Sequence, residues 1–348
     1  MSVDPAIITV LGLDPETATI RSHGGSGFAS SYKLTGRRLD AGSDAPLTHY
    51  FVKTGSGPEA EAMFRGEHAS LNAIAASAPQ FCPRAHAHGQ MKDDSSVYFL
   101  VTEFLELGGG GGQSSGSQTG SFAAKLAEMH NHEVSPDESG CPEGKPFGFP
   151  VPTCCGATEQ DNSWKATWAE FYADNRLRHV FRVGQKNNRT SGSDEQLADA
   201  VERTASTVVP RLLGDGHLQR SGTKGGGPIR PAVVHGDLWS GNKGRGRILP
   251  SSASSAMHNF TSPLVYDPAC VYGHSEYELG IMRMFGGFGT SFWNEYTELV
   301  PKDEPADEWE DRLALYELYH HLNHYALFGQ GYRSGAMSIM SKLLQKYG

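Results

Sequence analysis

Apolar residues in the first third of the chain recur mostly in short runs of strand length. Phe28 to Leu34 and His49 to Lys53 carry β-branched and aromatic residues between turn signals, and each predicts a strand. Val97 to Thr102 (Val-Tyr-Phe-Leu-Val-Thr) is continuously apolar and predicts a buried strand. One helical pattern interrupts them from about Glu59 to Ser77, where Met63, Phe64, Leu71 and Ile74 share a face. Ser56 and Glu59 have the spacing of a capping box, and Pro58 suits a first turn.

Beyond the glycine run that starts at Gly108 the periodicity turns helical. Phe122, Leu126 and Met129 line one face; Trp164 to Arg178, Gln196 to Leu213, Glu276 to Phe285 and Arg312 to Phe328 predict further helices. A strand-rich start and a helix-rich remainder predict an α+β chain of two lobes, residues 1–106 and 107–348.

Composition narrows the partners. With 30 Lys and Arg against 39 Asp and Glu, the net charge is −9, which argues against broad nucleic-acid binding. No apolar run reaches the roughly 18–20 residues of a membrane span, and the N-terminus lacks a signal-peptide pattern. Five scattered cysteines do not form a disulfide framework, so a reducing, cytoplasmic setting is expected. The adjacent Cys154 and Cys155 are expected as exposed loop thiols. Glycine is over-represented, at 42 residues. Most of the excess lies in low-complexity runs that read as loops.

The densest chemical signal is His235-Gly236-Asp237-Leu238-Trp239-Ser240-Gly241-Asn242, directly after the apolar Ala232-Val233-Val234. An Asp and an Asn five positions apart on a turn suit phosphoryl transfer. The carboxylate accepts the proton of an attacking hydroxyl, and the amide oxygen is a hard ligand for Mg²⁺. In isolation the same string also reads as an Asp-initiated turn. Further on, Leu264-Val265-Tyr266-Asp267-Pro268 ends an apolar strand in a carboxylate, where a kinase keeps its second metal ligand. The Gly- and Ser-containing stretch between them, Lys243 to Ser262, reads as an exposed loop.

The strand-rich part supplies complementary groups. Gly24-Gly25-Ser26-Gly27-Phe28-Ala29-Ser30 lies between extended segments, and its glycines allow backbone N–H groups close to phosphates. A plain hairpin turn explains the same string. Lys53 ends the strand Tyr50-Phe51-Val52. Glu67 is four residues from both Met63 and Leu71, so it points inward and needs a partner. Lys53 is the natural one, either to set the lysine for the α- and β-phosphates of ATP or as a structural pair. The order is that of a protein-kinase-like fold. No G-x-x-x-x-G-K-[ST] or H-E-x-x-H motif occurs.

These strings together resemble the fructosamine-3-kinase (ketosamine-3-kinase, protein-ribulosamine 3-kinase) family. The resemblance rests on Phe51-Val52-Lys53, on Met63 to Leu71, on Val233 to Asn242, on Asp267 to Leu279, on Met284 to Phe288 and on Leu322 to Tyr325. It runs from about Arg21 to Lys346, and Phe147 to Phe149 with Trp164 to Leu177 resembles the fungal branch in particular. It implies a two-lobed kinase-like fold of the aminoglycoside phosphotransferase type. It also implies ATP with Mg²⁺, and phosphorylation of the 3-hydroxyl of ketosamines. Ribulosamine and erythrulosamine come first among these, then fructosamine, borne on glycated protein lysines or small amines. The 3-phosphate then eliminates and restores the amine.

Carried over by position, Asp237 is the base, Asn242 and Asp267 hold Mg²⁺, and Lys53 with Glu67 sets the phosphates. Gly25, Ser26, Gly27 and Phe28 meet the phosphates, Glu103, Phe104 and Leu105 form the adenine-pairing hinge, and Trp239 and His324 face the sugar. Some relatives carry a redox-linked cysteine in the phosphate loop. Phe28 stands at that place here, which argues against that mode. Neither nucleic acid nor membrane is an expected partner, and a monomer is the starting assumption for assembly. Two alternatives stay open: a kinase of the same fold for an aminoglycoside, choline or a sugar, and a non-catalytic ATP-binding pseudokinase.

Overall fold

The computed structural model describes residues 2–26, 29–42, 44–108, 120–188, 194–221, 227–249 and 261–348. Gly27, Phe28 and most of the low-complexity glycine runs lie outside these. Among the described residues the strands are β1 Thr19–Ser26, β2 Ala29–Gly36, β3 Thr48–Ser56, β4 Ala85–Gln90, β5 Val97–Leu107, β6 Thr153–Cys155, β7 Thr158–Gln160, β8 Ala232–Val234, β9 Lys243–Leu249, β10 Ser262–Val265 and β11 Val271–Gly273. The chain forms two compact units, Met1–Phe122 with Lys243–Asp267, and Ala123–Asn242 with Pro268–Gly348. A single cut after residue 106 therefore differs from this division, because a later stretch returns to the first unit.

The first unit is built on an antiparallel sheet in the order β1-β2-β3-β5-β9-β10, with β4 also paired to β5. Alternation in β3 turns Tyr50 and Val52 into the core while Phe51 and Lys53 line a cavity. The core cluster joins Leu34, Tyr50, Val52, Phe99 and Val101 to Ile7 and Leu11. Those last two come from a helix, Pro5–Leu11, that strand-like patterning does not announce. Its ends carry strong local signals all the same. Asp4 caps it by accepting from Ala6 N at 2.8 Å, Pro5 opens it, and Gly12 closes it at φ +60°.

The expected helix spans Gly57–Ser77, but its capping box does not form. Ser56 is the N-cap by position and also the last residue of β3, paired with Val97, but its side chain makes no capping hydrogen bond. A second departure is the stretch after Asn242. Residues 243–249 form β9, paired with β5 on one side and β10 on the other, instead of a loop. The sequence Lys-Gly-Arg-Gly-Arg-Ile-Leu has no apolar alternation, so this strand is imposed by its neighbours. Residues 250–260 lie outside the described set.

The second unit is largely helical. The segment expected from Trp164 starts at Trp168 and runs through a π-helical stretch, Phe171–Arg178, into the helix His179–Asn187. Helices Glu276–Phe285 and Trp309–Phe328 pack so closely that a Cβ on Gly280 would stand 2.7 Å from the Tyr316 backbone. Their contact holds a buried ion pair, Arg312 Nε to Glu276 Oε2 at 2.7 Å. Beside it His274 Nε2 meets Asp303 Oδ2 at 2.8 Å. Helices Thr290–Leu299 and Arg333–Tyr347 belong to the same unit, as does the helix expected over Gln196 to Leu213, which runs as Glu195–Arg203, a π-helical stretch Thr204–Val208 and Val209–Leu213. Two short antiparallel pairs, β8 with β11 and β6 with β7, underlie the turn described next.

Candidate active site

The first unit presents a lysine between two carboxylates. Lys53 Nζ lies 2.7 Å from Glu67 Oε1 and 2.6 Å from Asp267 Oδ1. Burial alone would lower the lysine pKa. The charges of Glu67 and Asp267 outweigh it and hold the pKa above its ordinary value, so the ammonium persists. Burial, with Asp267 adding to it, raises the Glu67 pKa against the pull of Lys53. Asp267 is about half exposed and sits at φ +57°. That conformation is uncommon for a residue with a Cβ, though Asp adopts it more readily than most.

These three groups line a cavity of about 350 Å³ together with Gly25, Thr102, Glu103, Leu105 and Tyr266. Gly25 follows a register shift between β1 and β2, and a Cβ on it would press to 3.2 Å from Ala29 O. Of the expected hinge, Glu103 and Leu105 line this cavity. Phe104 turns its ring to the other side, 5.1 Å from His23 and under the ammonium of Lys33. Burial raises the Glu103 pKa, and its Oε2 accepts from Arg84 N at 2.9 Å. Among the phosphate-loop residues, Ser26 pairs with Ala29 at the end of β1, while Gly27 and Phe28 lie outside the described residues.

The second unit presents a turn pinned from several directions. Strand β8 is fully buried and delivers His235, itself 0% exposed, into Gly236. Gly236 has φ +80°, and a Cβ there would meet Ala269 O at 2.2 Å, so only glycine fits. The next residue is Asp237. Its carbonyl accepts from Trp239 N at 3.1 Å and from Asn242 Nδ2 at 2.8 Å. Its Oδ2 lies 3.2 Å from the same Asn242 nitrogen. Its backbone N–H points to His235 Nδ1 at 3.3 Å. Asp237 and Asn242, five apart in sequence, are therefore in direct contact, with Asn242 ending the short 3₁₀ helix Ser240–Asn242.

Two residues of this turn's support carry no local sequence signal for their role. Glu278, buried in helix Glu276–Phe285, accepts from His235 N at 2.5 Å and from Gly236 N at 3.1 Å. It lies three residues before Ile281 and four before Met282, so the helical period places it on an apolar face. Cys155 Sγ lies 3.6 Å from Asp237 Oδ1 and is 2% exposed. The expectation of exposed loop thiols fails for Cys155, because β6 and β7 carry it into the core; Cys154 is half-buried.

Trp239 and His324 fall on one run of rings. The Trp239 indole lies over Gly241, where a Cβ would meet the ring at 2.2 Å, and is 40% exposed. It sits 5.9 Å from Phe285, which is 5.3 Å from His324. His324 Nδ1 is 2.7 Å from the His320 carbonyl. A carbonyl accepts only, so Nδ1 carries the proton. Burial lowers the His324 pKa, leaving Nε2 as an acceptor in the neutral ring.

An antiparallel sheet carrying a lysine–glutamate pair, followed by a helical unit with an Asp/Asn turn, is the protein-kinase-like fold of the aminoglycoside phosphotransferase type. An aminoglycoside phosphotransferase solved in ternary complex with AMP-PNP and hygromycin B superposes at TM-score 0.53. It covers 99% of this chain and 98% of its own at 13% identity, which speaks for the fold alone. The chain belongs to the fructosamine kinase family, whose model matches residues 29–346. A chloroplastic protein-ribulosamine 3-kinase of Arabidopsis thaliana is 34% identical over 99% of this chain and 89% of its own length. The ketosamine-3-kinase of Mus musculus is 34% identical over 86% of this chain and 89% of its own. A Thermobifida fusca structure with a provisional fructosamine-3-kinase name matches at TM-score 0.66 and 24% identity, covering 99% of both chains.

Proposed function

We propose that this protein is an ATP-dependent kinase for the 3-hydroxyl of ketosamines, with ribulosamine and erythrulosamine on protein lysines or small amines as first substrates. The observation that carries the reading is the held carboxylate of Asp237. It stands at the end of a rigid strand–turn, with Asn242 bonded to it and an exposed indole two residues on. In the proposed reaction the ketosamine O3 bonds to the γ-phosphorus as the bond from that phosphorus to its β-bridging oxygen breaks. Asp237 takes the hydroxyl proton, and ADP leaves. Lys53, kept in place by Glu67, neutralises charge on the α- and β-phosphates in the cavity whose wall includes Glu103 and Leu105. Gly25 and Ser26, with Gly27 and Phe28, line the phosphates, and the backbone of Glu103 to Leu105 pairs with adenine. Trp239 covers one face of the sugar, and His324 offers Nε2 as an acceptor to a sugar hydroxyl.

Two oxygen donors suit Mg²⁺. The Nδ2 of Asn242 is engaged by Asp237, so its Oδ1 is the atom able to serve a cation. Asp267 is half exposed and bonds Lys53 through one oxygen. Hard oxygens of this kind match magnesium, and the ion would shield the triphosphate charge. Five cysteines outside any disulfide support a cytoplasmic setting. Among the described residues no helix is long and apolar enough to cross a membrane.

The test is mass spectrometry of a ribulose-modified lysine peptide incubated with the enzyme and Mg-ATP. A gain of one phosphate, followed by loss of the sugar, is the expected result. Asp237→Asn is expected to abolish it while nucleotide still binds. Phosphate gain on no ketosamine, or full turnover by Asp237→Asn, overturns the reading.

A further inference from the structure

One buried nucleophile has no part in the chemistry proposed above. Cys155 closes β6, immediately before the turn at Gly156, which has φ +62°. Strand pairing sets it opposite Thr158, and its carbonyl accepts from Asn323 Nδ2 at 3.2 Å. The sulfur is thereby fixed 3.6 Å from Asp237 Oδ1, a reach suited to an S–H donor. Burial first, and the charge of Asp237 second, push the thiol well above its ordinary pKa, and Arg176 opposes them without prevailing. The group beside the carboxylate is thus a protonated thiol, able to donate and unable to act as a thiolate.

We propose that Cys155 is a positioning residue for Asp237: its S–H holds Oδ1 while Asn242 Nδ2 holds Oδ2. The inference rests on the reading of Asp237 as the base. A carboxylate on a turn can rotate about its last bond, and each orientation other than the productive one lowers the rate. Two donors on its two oxygens remove that freedom. Every donor to the anion also lowers its proton affinity, which a base cannot spare. A thiol is a weak donor, so it orients the carboxylate at little loss of basicity. The other groups facing this pair are His235, whose Nδ1 accepts from the Asp237 backbone, and Arg176, Cys154, Tyr277 and Tyr319 around the sulfur.

The test compares Cys155→Ala and Cys155→Ser with the wild-type enzyme through kcat and KM for the ketosamine and for Mg-ATP. With the donor removed, Asp237 loses one of its two holds, and kcat in Cys155→Ala is expected to fall about tenfold, with KM for the ketosamine and for Mg-ATP unchanged. Cys155→Ser keeps a hydroxyl donor on a shorter arm and is expected to recover part of the lost kcat. Where Cys155→Ala does not fold, Cys155→Val fills the space on the strand without a donor and is read the same way. A folded Ala or Val variant with an unchanged kcat overturns the inference, as does a Ser variant no better than Ala. Asp237→Asn, run alongside, separates the two layers. If it keeps turnover, the reading of the base fails; if it is dead while kcat of the cysteine variants stays at the wild-type level, only the role of Cys155 fails.

Discussion

Glu278→Gln isolates what holds the turn that carries Asp237. The carboxylate receives two backbone N–H groups, from His235 at 2.5 Å and Gly236 at 3.1 Å, and both belong to the stretch immediately before Asp237. His130 Nε2 stands 3.7 Å from it with no hydrogen-bond partner among the described residues. Glutamine keeps the shape but has one acceptor oxygen, so one of the two N–H groups would face an NH₂ donor. A bond to a charged acceptor contributes about 1.5–3 kcal/mol, and an orphaned buried N–H costs about 1–3 kcal/mol. Relief from burying the negative charge offsets part of this. The net expected loss is about 2–3 kcal/mol.

For a unit of about 200 residues that is a fall in Tm of about 4–12 °C, at about 2–4 °C per kcal/mol. The functional effect is larger than the stability effect suggests, because the turn that relaxes is the one that aims Asp237. A displacement of about 1 Å can cost up to about 100-fold in rate, so kcat is expected to fall at least about tenfold with KM for Mg-ATP unchanged. Differential scanning calorimetry and steady-state assays at saturating ATP measure both. A Tm within about 1 °C of wild type, together with an unchanged kcat, would refute the role of Glu278 as the anchor.

Lys53→Met leaves Glu67 and Asp267 facing each other without their cation. If Lys53 meets the phosphates as proposed, loss of that charged hydrogen bond is expected to lower kcat/KM for ATP by about 10–100-fold, and a change under about threefold in steady-state assays would contradict it. Stability is expected to fall with pH below neutrality. Burial holds His49, His68, His86, His88, His320 and His324 below the ordinary 6.5. The unfolded chain therefore binds more protons just below that value, and stability is lost as pH falls through it. Glu67 and Glu103, whose pKa values are raised, act in the opposite sense but are outnumbered. Tm is expected to decline from about pH 7 to about pH 5.5; a flat or rising Tm there would contradict the sign.

The placement of the candidate residues was legible where it was local or periodic. Asp237 and Asn242 stand five apart on one turn, and the turn itself makes them touch. Glu67 was placed inward by its spacing from Met63 and Leu71, and Lys53 by the end of an apolar strand; their 2.7 Å contact follows from a helix laid on that strand. The helix Pro5–Leu11 was also written locally, in Asp4, Pro5 and Gly12, but seven residues are too few to show a period.

What tertiary structure alone decided are the partners distant in sequence. Cys155 reaches Asp237 across 82 positions, and Glu278 reaches Gly236 across 42. Strand β9 exists because β5 and β10 offer unpaired edges to a stretch with no pattern of its own. Local order encodes which residues share a face or a turn, since helical and strand periods and glycine's freedom act within a few residues. Which buried sulfur or carboxylate meets that turn depends on how whole elements pack, and packing is a property of shape and burial summed over the fold, not of any short stretch of the chain.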